Sequence, residues 1–279
     1  MAAPNAVELT ADAAWLVAES IGAGSFPWVL AITPAVADQR AAPAILTRLR
    51  IELTRARVMS EAGTVNPAVA RWTRTVCAPE QWLELRYVRG AGTEMLRGLV
   101  ARRGEHTVVA LRSGELVTLT ELDIDDPLLL APVVAAGLAG RAPARFTEFT
   151  LPTRAGVRAD EKLRTGADLD DVLEHLGIPA SAVPVVRSVF NGPRSYVEVR
   201  AGSARDGVHS LSEVGVGIVD ADAGRVLVTP ELAADGEWLS TFAPGTQFAI
   251  AMALDRLTDT VAGGRWFPAA APARDFSSN

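Results

Sequence analysis

Three carboxylates crowd into four consecutive positions of this chain, Asp123, Asp125 and Asp126. Such a cluster can hold a divalent cation or supply an acid–base pair. It lacks the turn glycine and distal glutamate of a calcium loop. Pro127 follows directly, and carboxylates ahead of a first-turn proline suit the positive end of a helix. Capping is therefore the expected role, with Asp125 and Asp126 also free to meet a partner at a rim. Asp168, Asp170 and Asp171 read the same way, Asp168 as cap and the others in the first turn. The three histidines, His106, His175 and His209, are far apart and none belongs to an H-x-x-x-H pair. Cys77, the single cysteine, follows Val76 in an apolar helical stretch with no partner base nearby, which suits a packed thiol better than a nucleophile.

Glycine motifs fail in the same direction. No glycine precedes Lys162, the only lysine, in the manner of a phosphate-binding loop. Gly22-Ala23-Gly24, Gly90-Ala91-Gly92 and Gly215-Val216-Gly217 begin dinucleotide fingerprints, but Pro27, Met95 and Asp220 stand where the third glycine belongs. No G-x-S-x-G elbow is present. No cofactor or metal is expected. The net charge of −6 argues against a nucleic-acid partner. One cysteine allows no internal disulfide, and the first nine residues, with Glu8 and no basic start, do not resemble a signal peptide. The apolar run Leu128–Leu138 is interrupted by Pro132 and Gly137 and falls short of a membrane span. A cytoplasmic location without membrane insertion is the expectation.

The elements that position these residues follow from caps and periodicity. Thr10 caps a helix from Ala11 that Gly22 stops, and Phe26–Ile32 suits a buried strand or extended segment. Helices are expected over about Pro43–Val58 and, capped by Asn66 with Pro67 at its first position, to Cys77. Strands are expected over Trp82–Arg89, Met95–Arg102, His106–Arg112 and Glu115–Glu121, then a helix from Pro127 to about Gly140. The second half repeats this grammar. Helices fall over Thr153–Arg164, Asp168–Leu176 and Ser181–Phe190, and strands over Ser195–Ala201, Leu211–Val219, Gly224–Thr229 and Trp238–Phe242. A last helix covers Thr246–Val261.

The repetition extends to residues. Arg74-Thr75-Val76-Cys77 matches Arg187-Ser188-Val189-Phe190, 113 positions on, and Leu83-Glu84-Leu85-Arg86 matches Val197-Glu198-Val199-Arg200, 114 positions on. Neither copy can cover its sheet alone. The expected architecture is an α+β fold with internal halves at about 1–145 and 146–265 and a tail over 266–279. The halves would share a largely antiparallel central sheet flanked by two helical bundles, related by a pseudo-two-fold axis. Of the six tryptophans most should be core, while Trp238, beside Gly236 and Glu237, could lie at the sheet rim.

Several segments taken together carry a family likeness. They include Gly22-Ala23-Gly24-Ser25-Phe26-Pro27-Trp28, Asn66-Pro67-Ala68-Val69-Ala70, Trp82-Leu83-Glu84-Leu85-Arg86-Tyr87-Val88 and Asp123-Ile124-Asp125-Asp126-Pro127. Gly192-Pro193-Arg194-Ser195-Tyr196, Gly236-Glu237-Trp238 and the tail Trp266-Phe267-Pro268 with Arg274-Asp275-Phe276 follow in order. In this the chain resembles the EspG family, and most of all the paralogue serving the third ESX system. The resemblance implies a single EspG-like domain over 1–279 and a non-enzymatic cytosolic chaperone. Such a chaperone binds a PE–PPE heterodimer at the PPE tip, keeps that apolar tip soluble and directs it to its own type VII secretion system. It also implies an interface on the sheet, the loop after an early strand and the C-terminal helices; here that loop falls between Val88 and His106, or at Arg102 to His106, depending on strand register, and is short in either case.

Candidate interface residues are Thr229, Glu231 and Leu232 at a strand end, Trp238 with Phe242, Gln247 with Phe248 on the last helix, and Asp125 and Asp126 at the rim. Two rival readings are a hydrolase-like enzyme using Asp123, Asp125 and Asp126 or a histidine, and a structural protein that self-associates through exposed strands. A weak homo-oligomer is compatible with the chaperone reading.

Overall fold

Strong caps and short alternating strands set the elements. A computed structural model describes residues 5–35, 42–90 and 94–267, so Pro268 and the Arg274-Asp275-Phe276 stretch lie outside the described residues. A strand β1 (Ala6–Thr10) runs straight into helix α1 (Ala11–Ser20), whose first turn is closed by Thr10 Oγ1 accepting from the Ala13 amide. Helix α2 (Ala42–Arg55) and helix α3 (Pro67–Cys77) follow, α3 opening on the Asn66 side chain with Pro67 in its first turn. Four strands form a meander, β2 (Gln81–Arg89), β3 (Glu94–Arg103), β4 (His106–Ser113) and β5 (Leu116–Leu122), and helix α4 (Pro127–Ala135) ends the half. The second half opens on β6 (Phe149–Pro152) and runs through α5 (Thr153–Arg164), α6 (Leu169–His175) and α7 (Val183–Asn191). It continues with β7 (Ser195–Arg205), β8 (Val208–Leu211), β9 (Val216–Ala221), β10 (Gly224–Leu232) and β11 (Trp238–Pro244), and closes with α8 (Gln247–Asp259).

These strands make one sheet in the order β1-β5-β4-β3-β2-β7-β9-β10-β11-β6, with β8 hydrogen-bonded to β7 beside that path. Every ladder between them is antiparallel. The order reads alike from either end once β8 is set aside. The seam is the β2–β7 ladder, in which Leu85 lies opposite Val199. Val199 is also the residue 114 positions on from Leu85, its counterpart in the repeat. A residue paired with its own counterpart marks where a two-fold axis crosses the sheet. The α+β class, the antiparallel sheet and the pseudo-two-fold arrangement agree with the sequence reading.

Period-2 alternation sends successive side chains to opposite faces. On one face of the first half, Trp82, Leu99, Ala101, Val108 and Leu119 pack beneath α1, α2 and α3. On the other, Leu83, Leu85, Tyr87, Val197, Val199 and Ile218 pack beneath α4 and α8. Tyr87 is buried and donates to Val134 O at 2.8 Å. Gly137 lies flat against its ring, where a Cβ would come 2.4 Å from Tyr87 Cε1. Gly202 does the same for Trp82, leaving 2.1 Å to ring carbon Cε2, and His209 tilts over that indole at 5.9 Å.

Four local expectations need correction. Phe26–Ile32 is not a strand: Trp28–Leu30 is a 3-10 turn closed by Ala31 in the left-handed region, which leaves Trp28 91% exposed while Val29 and Leu30 are buried. Leu211–Val219 is not one unbroken strand but the end of β8 and the start of β9, which follow one another in the same direction along β7 and are separated by an irregular stretch in which Ser212 Oγ takes the Ala201 amide and donates to Val214 O. The helix after Asp126 ends at Ala135, since Gly137 must approach Tyr87. Strands β1 and β6 are additions: each pairs with the last strand of its half, β5 and β11.

Candidate partner-binding site

A break in the covering of the sheet lies beneath α8. Thr246 Oγ1 accepts from the Ala249 amide at 3.1 Å and sets the start of this helix. Ile250, Ala251, Leu254 and Leu257 turn into the core, which leaves the flank carrying Phe248, Met252 and Arg256 standing over β10 and β11. A groove of about 750 Å³ results. Its floor is Leu227, Thr229, Thr241 and Ala243, its helical wall Phe248 and Met252, and its open end Glu231, Leu232 and Trp238. Register explains the floor, because Thr229 sits opposite Thr241 and Leu227 opposite Ala243 on the same face. Phe248 is 65% and Leu232 55% exposed. Large apolar groups held open on a rim of Glu148, Glu231 and Arg256 form the kind of surface that meets another protein.

Five of the nine candidate residues, Thr229, Glu231, Leu232, Trp238 and Phe248, line this one groove. Phe242 faces the opposite side of the sheet, where its ring stacks on Phe149 at 4.8 Å and 7°. Gln247 donates from Nε2 to Leu128 O at 3.1 Å, joining the first turns of α8 and α4. Asp126 caps α4, its Oδ1 accepting from the Leu128 amide at 2.7 Å, and Asp125 stands exposed beside it. Leu128 and Leu129 add apolar surface there, 41% and 43% exposed. Sequence reasoning passed over them because a leucine pair in an apolar run reads as core. Trp238 also borders a second hollow, shared with Arg154, Val157 and Asp235, and Glu237 beside it pairs with Arg154 at 2.6 Å.

Chemistry-bearing side chains elsewhere are spent on structure. Glu121 accepts from Arg71 Nη2 at 2.8 Å and from the Trp72 indole at 2.9 Å, and lies 3.3 Å from His106 Nδ1. The Arg71 hydrogen bond, with help from Trp72, holds its carboxyl below the usual range. Burial pushes the Cys77 thiol up to about 12, so it carries almost no thiolate at neutral pH. His175 stands on α6 and His209 over Trp82, far from His106 in the fold. Among the described residues no group of three or more His, Cys, Asp or Glu side chains could hold a metal ion, and no helix is long and apolar enough to cross a membrane.

The fold is thus a pseudo-symmetric α+β body whose two like halves share one antiparallel sheet. The chain belongs to the EspG family, whose family model matches residues 10–256. It is 57% identical to the ESX-3 secretion-associated protein EspG3 of Mycobacterium tuberculosis, over 99% of this chain and 98% of that one. The protein of the same description from Mycolicibacterium smegmatis is 55% identical, over 99% and 94%. Among solved structures, the Mycobacterium tuberculosis type VII secretion system chaperone EspG5, in complex with the PE25-PPE41 dimer, shares the fold. Its TM-score is 0.76 at 21% identity, covering 94% of this chain and 98% of that one.

Proposed function

We propose that this chain is a cytoplasmic, non-enzymatic chaperone of the third ESX system, which binds a PE–PPE heterodimer at the PPE tip and keeps it soluble for secretion. The groove beneath α8 carries the reading: an apolar wall of Phe248 and Met252 over a floor of Leu227, Thr229, Thr241 and Ala243, held open, with charged residues at its ends. The ESX-3 names of its relatives and a fold neighbour solved with a PE–PPE dimer supply the class of partner. An apolar anchor of the PPE protein would enter between Phe248 and Leu232, with Trp238, Thr229 and Glu231 around it and Gln247, Asp125 and Asp126 at the far rim. Phe242 supports the floor from behind. The halves 1–145 and 146–265 are the units of the repeat in this proposal, and only the second offers the groove. The enzyme reading loses ground because Asp126 is engaged as a cap and His106 is set against Glu121.

Calorimetric titration with ESX-3 PE–PPE pairs from the same genome tests the reading. One pair is expected to bind, and the double change Leu232→Asp and Phe248→Asp should weaken it at least about tenfold, as loss of an interface anchor does. Undiminished affinity in that variant would remove the groove from the proposal; no complex with any such pair would remove the chaperone.

A further inference from the structure

On the opposite side of the strands that floor the groove, the sheet carries a second, smaller opening. Val228 and Phe242 alternate with Thr229 and Thr241 along β10 and β11 and so face away from α8. Between them and α7 lies a cleft of about 150 Å³. Its walls are wholly apolar: Val185, Val186 and Val189 from the helix, Val228 and the stacked Phe149–Phe242 pair from the strands. Phe146 tilts against Phe149 at 6.1 Å and 60° to close one end. Only Ala144, Val185 and Val226 form a buried cluster here, so helix and sheet are not in full contact.

Polar ties outside the cleft hold α7 in place. Ser188 Oγ accepts from the Ala223 amide at 3.0 Å, Arg194 donates to Val189 O at 2.7 Å, and Arg187 pairs with Asp170 at 2.6 Å. They oppose the collapse that would otherwise remove the gap. A cavity of this size lined only by carbon has no hydrogen bonds to offer water and takes up benzene-sized molecules. A charged or strongly polar ligand would lose its hydration without replacement. The parallel rings of Phe149 and Phe242 add faces and edges for a flat guest.

We infer that the cleft between α7 and β9–β11 is a binding site for a small uncharged apolar molecule of about one aromatic ring, distinct from the partner groove and on the other face of the same strands. Toluene is a suitable probe. Thermal unfolding of the full chain should shift upward by about 2 °C or more near toluene saturation, since a ligand that binds only the folded state stabilises it. Val186→Phe, which places a ring in the gap, should abolish the response. Val228→Thr keeps the shape and adds one hydroxyl, and should weaken toluene binding at least about tenfold. It also serves if Val186→Phe does not fold. An unchanged melting temperature in the unaltered protein, or an undiminished response in Val228→Thr, overturns the proposal.

Discussion

Helices α1–α3 over the first half-sheet and α5–α7 over the second stand in corresponding places, yet they are packed very differently. Helix α1 buries six residues and α3 buries Val69, Ala70, Trp72 and Val76, whereas α5 buries only Ala159 and α7 only Val185. Residues 113 apart make the contrast local: buried Trp72 corresponds to the smaller buried Val185, buried Val76 to half-buried Val189, and half-buried Cys77 to Phe190, which is 44% exposed. The sheet and its seam fix the topology of both halves. The covering helices are then free to diverge, one set into a dense core and the other into a loosely seated layer beside the proposed binding surfaces.

The largest effect that could break this contrast is a pair of core truncations. Trp72→Ala should cost about 3–5 kcal/mol, as loss of a buried large aromatic does, while Val189→Ala should cost under about 1 kcal/mol. Chemical denaturation reads both, and equal costs would end the comparison. Next comes a polar fastening that partly replaces core in the second half. Asp220, 1% exposed, accepts from Arg225 at 2.6 and 2.9 Å and from the Arg141 amide at 3.0 Å. Burial alone would raise its carboxyl, but these bonds outweigh burial and hold it low. Asp220→Ala, leaving Arg225 unpaired, should cost about 3 kcal/mol, again measured by denaturation.

Hydrogen exchange sharpens the comparison further. Amides of α5–α7 should open locally and exchange sooner than those of α1 and α3, whose protection should approach the global limit. Uniform protection across both sets would contradict the packing difference. The smallest effect is acid sensitivity of the first half. Glu121 has a depressed carboxyl, so its stabilisation is complete above the ordinary glutamate value and is lost as pH falls through the lower folded value. Glu121→Gln should flatten that part of the stability–pH curve, and an unchanged curve would dismiss the Arg71–Glu121–Trp72 bracket as a contributor.

Much of this architecture was readable from local chemistry. Asn66 with Pro67 placed α3, Asp126 with Pro127 placed the start of α4, and Asp168 placed α6, because caps act over one turn and need no distant partner. The edge strands β1 and β6 escaped notice. They are only five and four residues long, and their strand character depends on finding β5 and β11. Trp28 was misjudged because an apolar run says nothing about which side chain a tight turn expels. For the candidate site, Thr229 and Phe248 were nameable as strand and helix ends. That Phe242 faces away from them depends on register, which pairs it with Val228 and which no single-strand pattern contains.

The seam between β2 and β7 has a consequence for synthesis. Arg89 waits for Ser195, its register partner 106 positions later. At about 5–20 residues per second on the ribosome, β2 therefore presents a bare backbone edge for roughly 5–20 s. Once Leu122 has been made, the nascent first half has all five of its strands but an open flank at β2, prone to pairing with a neighbouring nascent chain until β7 arrives.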